Sequence, residues 1–130
     1  DDPLAQRATL TWREAAELPL CLLTPDMQNR RIVDAAFTTA GTAPEPRIES
    51  DDIVPLWEHV AQGRWCTIGP TSWRERGALP EEIVAVPLED PVVEKQIGVV
   101  VPDRDPLPTI TRALLDAARD SPKGSGPFGE

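Results

Sequence analysis

Apolar and polar positions along the 130-residue chain change period several times, and each change marks an element. TWREAAEL, residues 11–18, reads as a short helix. Thr11 can cap it, Glu14 three places on completes a capping box, and Pro19 stops it. PLCLLT, residues 19–24, is a continuous apolar run bounded by Pro25, the pattern of a buried strand. From 27 to 40, Ile32, Val33, Ala36, Phe37 and Ala40 return at helical spacing. Asp26 is the predicted cap, and Gly41 suits a left-handed stop. A small strand is expected at 47–49. A helix at 52–62 follows, with Ile53, Leu56, Trp57 and Val60 on one face, Asp52 as cap, Pro55 in the first turn and Gly63 as stop.

RWCTIGP, residues 64–70, predicts a third apolar strand, and TSWRERGALPEE a turn-rich stretch. EIVAVPL predicts a strand at 83–88. In EKQIGVVVP, Val99, Val100 and Val101 stand in a row, as expected of a strand covered on both faces. A last helix is expected after Asp105 with Pro106 at its first position and Leu107, Ile110, Leu114 and Ala118 on one face. The tail, 121–130, is expected to be disordered. The order β, α, β, α, β, β, β, α predicts an α/β domain: an open, largely parallel sheet with helices on both faces.

Composition narrows the function. The chain carries 13 Lys and Arg against 22 Asp and Glu, a net charge of −9 at pH 7. Such a surface repels phosphate backbones, so these residues alone make a poor nucleic-acid binder. No apolar run approaches the ~20 residues of a membrane helix. The start, Asp1-Asp2-Pro3, shows no signal-peptide pattern. Fifteen prolines and eight glycines predict a folded domain with many stiff corners. Cys21 and Cys66 both lie in apolar runs, which fits buried thiols in a reduced, cytoplasmic setting better than a disulfide. With one histidine they make no zinc spacing.

No catalytic constellation is visible. His59, the only histidine, sits off the apolar stripe of its helix and reads as a surface residue. Ser50 and Ser72 are not in a G-x-S-x-G elbow. The acidic pairs Asp51-Asp52, Glu81-Glu82 and Glu89-Asp90 are adjacent, so their side chains diverge. GSGPFG, residues 124–129, matches a dinucleotide fingerprint letter for letter, but no strand precedes it and no helix follows. No cofactor or metal is indicated. The four tryptophans read as packing residues, with Trp73 in its turn-rich segment the most exposed of them. Two strand ends invite a binding role. PLCLLT runs into Pro25-Asp26-Met27-Gln28-Asn29, which opens a helix whose free N–H groups suit a carboxylate or other small anion. CTIGPTS, residues 66–72, is the second, and in open parallel sheets ligands sit beyond such ends. Two tight turns would give the same pattern.

The run LTWREAAELPLCLLTPDMQNRRIVDAAFTTAG resembles the effector-binding (substrate-binding) domain of LysR-type transcriptional regulators. The likeness continues in order through IESDDIVPLWEHVAQGRWCTIGP and VPLEDPVVEKQIGVVVPDRDPLPTITRALLDAAR. DPLAQR is similar to the family's "HPLA" segment, with Asp2 where histidine is common. The resemblance spans residues 2–119. It implies a type 2 periplasmic-binding-protein-like fold in which 11–92 form the complete second subdomain. Residues 93–120 form the strand and helix returning to the first, so that 1–120 are a partial effector-binding domain. The first half of the first subdomain and the helix-turn-helix would precede Asp1. The resemblance implies a non-enzymatic sensor of a small-molecule effector that contacts DNA only through that helix-turn-helix. It places the effector against Thr24, Pro25, Asp26, Met27, Gln28 and Asn29 and against Ile68, Gly69, Pro70 and Thr71. The IGVVV strand would otherwise leave an edge unpaired, so it is expected to pair with a second chain, giving a homo-oligomer, or to fold back on the second subdomain. A solute-binding protein of a transport system with the same fold is the alternative, and a small α/β enzyme a third class.

Overall fold

The computed structural model describes residues 3–95, 100–101, 103 and 105–120. After a short 3-10 turn, Pro3–Gln6, the elements are β1 (Leu10–Thr11), α1 (Trp12–Ala16), β2 (Cys21–Leu23), α2 (Gln28–Thr39), β3 (Ile48–Ser50), α3 (Ile53–Ala61), α4 (Ser72–Glu75), β4 (Leu88–Glu89) and α5 (Thr109–Asp120). Both strand pairings are parallel: β1 with β4, and β2 with β3. A parallel bridge joins Leu20 to Cys66. The fold is mixed α/β, as the alternation predicts.

β2 lies in the middle of its sheet. The Leu20 carbonyl accepts from Arg47 N–H, and Thr24 N–H donates to the Ser50 carbonyl, so these groups face β3. Cys21 N–H donates to the Cys66 carbonyl, and the Pro19 carbonyl accepts from Cys66 N–H, so residues between them face the other way. The order across the sheet is therefore β3, β2, Cys66 segment. Chain connections to opposite sides of one strand place their helices on opposite faces if both crossovers are right-handed, and the packing follows that rule. Leu20 and Leu22 pack with Trp12, Ala15, Val33, Ala36 and Phe37 of α1 and α2. Cys21 and Leu23 pack with Leu56 of α3, bordered by Met27, Ile48, Val60 and Trp65. The Trp12 and Phe37 rings meet edge to face at 5.0 Å.

Local chemistry sets the helix ends. At α1 the capping box is complete: Glu14 N–H donates to Thr11 Oγ1 at 3.2 Å, and Thr11 N–H donates to Glu14 Oε2 at 2.8 Å. Asp52 Oδ1 accepts from Val54 N–H at 3.2 Å to cap α3. α2 ends in a Schellman motif. Gly41, at φ +72°, donates to the Thr38 carbonyl, and Thr42 N–H reaches back to Phe37. Arg30, only 8% exposed, ties α2 to the sheet. Its guanidinium donates to the Leu23 carbonyl at 2.7 Å and pairs with Asp34 and Glu49.

Several expectations need correction. The residue preceding α2 is Met27, with no side-chain cap, because Asp26 is taken up by the turn before it. The strand expected over 64–70 shrinks to the bridge at Cys66, where proline and glycine curtail further pairing. The strand expected at 83–88 is present only as Leu88–Glu89, since only β1 is there to pair with it, and β1 is two residues long. The last helix starts at Thr109 rather than Pro106, and none of its side chains is buried; Ile110 is 81% exposed. Of the IGVVV strand, Ile97, Gly98 and Val99 lie outside the described residues, as does the tail 121–130. Val100 and Val101 are in no strand, and Val100 is 95% exposed.

Two outcomes are expected. Phe37→Ala empties the fully buried centre of the larger cluster and should cost about 3–5 kcal/mol by denaturant unfolding, whereas Val54→Ala on the exposed side of α3 should stay within about 0.5 kcal/mol. The Glu14 carboxyl is lowered from 4.5 to about 2, first by the Thr11 backbone N–H and then by Arg7. Its folded value lies below its unfolded one, so its stabilisation is complete above pH 4.5 and is lost as pH falls toward 2. The stability gap between the wild type and Glu14→Ala, followed by thermal melts, should narrow across that window.

Candidate functional site

The strand order places the two candidate loops side by side. β2 runs through Leu23 into Thr24, while the neighbouring segment runs parallel from Cys66 into Ile68. Both therefore end at the same edge of the sheet. Because the chain leaves β2 toward β3 and returns on the other side of β2, this edge is the point where the topology reverses, the usual place for a ligand crevice in an open α/β sheet. Ser50, at the end of β3, forms the third strand end. It is tied to Thr24 by the Thr24 N–H bond to its carbonyl, and its Oγ accepts from Asp52 N–H at 3.1 Å.

Thr24 is half-buried and Pro25 exposed. The exposed Asp26 carboxyl is held below its ordinary value, first by the Thr24 hydroxyl beside it, at a geometry short of a full hydrogen bond. Met27 N–H donates to the Thr24 carbonyl at 3.0 Å and closes the turn. The Met27 side chain packs against the α3-side cluster, Gln28 is exposed and Asn29 half-buried. On the second loop, Ile68 packs against the α2-side cluster. Gly69 and Thr71 are exposed, and Pro70 is half-buried. The Trp73 ring lies over Gly69 so closely that a Cβ there would run into the indole.

Sequence reasoning missed a polar and aromatic group behind the second loop. Trp73 is half-buried, not an exposed side chain, and meets Trp57 edge to face at 5.4 Å. Ser72 is 1% exposed, and its Oγ has no hydrogen-bond partner; Trp57 Nε1 is likewise buried and unpartnered. Ser50 could have been found by the strand-end rule that singled out Thr24. No spacing signal pairs Trp57 with Trp73, which are sixteen positions apart on different elements.

Both cysteines are free thiols. Cys21 is fully buried in β2, and burial pushes its thiol up to about 11. Such a thiol is protonated at neutral pH and is not a nucleophile. Cys66 is half-buried. Among the described residues no three His, Cys, Asp or Glu side chains gather as metal ligands, and no helix is long and apolar enough to cross a membrane.

The family profile described as LysR substrate binding domain matches residues 1–123. The chain belongs to the LysR substrate-binding domain family. This is a family of non-enzymatic regulators, and membership implies an effector-binding regulatory module. No curated protein and no solved structure matches the chain.

Gly69→Ala should push the Trp73 ring off the loop and away from Trp57. Near-ultraviolet circular dichroism should report it as loss of tryptophan signal with far-ultraviolet helix content retained.

Proposed function

We propose that this LysR substrate-binding domain senses a small carboxylate or other small anion at the strand-end edge of its sheet. Thr24, Gln28, Asn29 and Thr71 supply hydrogen bonds, and Met27, Ile68 and Pro70 supply apolar contact. Pro25, Asp26 and Gly69 complete the two loops. The partial positive charge at the start of α2 favours an anion, while the ionised Asp26 opposes one and so selects for ligands that also hydrogen-bond. The observation that carries this reading is the strand order β3, β2, Cys66 segment, which brings both loops to one topological reversal.

In this reading residues 11–92 are the second subdomain and 93–120 the piece that returns to the first. The effector binds between the two and favours one arrangement over the other, and that preference is the only energy available to shift the equilibrium. The regulator is a cytoplasmic homo-oligomer. It contacts DNA through a helix-turn-helix elsewhere in the polypeptide, since a segment of net charge −9 repels phosphates.

Titration of the chain with a panel of short carboxylates, followed through amide chemical shifts, tests the site. Shifts should concentrate on residues 24–29 and 68–72, and Thr24→Val should weaken them by about 3- to 10-fold, the loss of one hydrogen bond. Shifts elsewhere with those two loops unmoved would refute the assignment.

A further inference from the structure

We infer that the open groove between the segment before β1, the end of α4 and residues 79–87 is a second ligand site. It takes a small carboxylate with an apolar body. The groove has a volume of about 540 Å³, within the usual range for small-molecule sites. None of the residues assigned to the strand-end site lines it.

Its lining inverts the charge balance of the chain. The protein carries 22 acidic against 13 basic side chains, yet the groove is lined by two arginines, Arg7 and Arg74, with Glu81 as the one acid in its lining. Arg74 is exposed and makes no ion pair among the described residues. Arg7 bonds Glu14 Oε1 through a single nitrogen at 2.9 Å, and its side chain remains 50% exposed. A guanidinium carries five donors in a planar fork, so both arginines keep donors free for a carboxylate. The lining also includes the apolar side chains Leu79, Ile83, Val84 and Pro87, with Val84 60% exposed. Two cations exclude a metal ion, and the apolar wall gives a bare phosphate nothing to cover. An anionic head on a hydrocarbon or aromatic body satisfies both parts of the lining.

The test is an amide chemical-shift titration of the full chain with 3-phenylpropionate and, separately, with its neutral amide, 3-phenylpropionamide. The carboxylate should shift Gly77, Ile83 and Val84 in a saturable way, and the amide should bind those positions at least about tenfold more weakly, the loss of one charge-assisted contact. Arg74→Gln, at an exposed position, should weaken the carboxylate by a similar factor while leaving the rest of the spectrum in place. Equal binding of carboxylate and amide would overturn the proposal, because the groove would then be merely apolar. Absence of groove shifts at millimolar ligand, or shifts confined to 24–29 and 68–72, would overturn it too. The last result would still leave the strand-end site standing, so the two readings fail separately.

Discussion

Burial of β2 on both faces is the constraint on which the rest depends. Leu20, Cys21, Leu22 and Leu23 are all under 10% exposed, and they point alternately to two clusters. A strand that is apolar on both sides needs a layer on each side. α1 and α2 cover one face and α3 the other, and the chain must cross β2 to reach both. That crossing makes β2 the middle strand and sets the reversal point at its end. The position of the candidate site is thus a consequence of core burial.

Arg30 shows how the fold stabilises that end of the strand without another apolar layer. Its guanidinium satisfies the Leu23 carbonyl, where β2 passes into the Thr24–Asn29 loop, and balances its charge against Asp34 and Glu49. Both carboxylates remain about 40% exposed, so the pair avoids the full desolvation cost of a buried ion pair. The loop beyond is held by backbone bonds from Thr24 to Ser50 and from Met27 to Thr24. The second loop is closed by the Trp73 N–H bond to the Pro70 carbonyl and adds aromatic packing, through Trp73 over Gly69 and against Trp57.

The chain belongs to a family of non-enzymatic regulators. The buried Cys21 thiol stays protonated at neutral pH and is no nucleophile, and His59 lies on α3. What the molecule offers is a polar sheet edge between two apolar clusters.

The sequence alone determined the elements whose cause is local or periodic. Thr11 and Glu14 form a capping box because they stand three apart. The stripe through Val33, Ala36 and Phe37 fixes the inner face of α2, and Pro19 and Pro25 bracket a strand buried on both sides. The strand-end rule pointed to Pro25–Asn29 and to residues 66–72, and the family resemblance placed the candidate site at Thr24–Asn29 and Ile68–Thr71. Tertiary structure decided how far strands extend: residues 64–70 and 83–88 carry strand-like patterns, but pairing depends on a neighbour of matching length and on backbone donors that proline removes. It also decided that Met27 rather than Asp26 precedes α2, that Ser72 is buried, and that Trp57 meets Trp73. These depend on contacts between residues distant along the chain, and no periodicity within a single element encodes them.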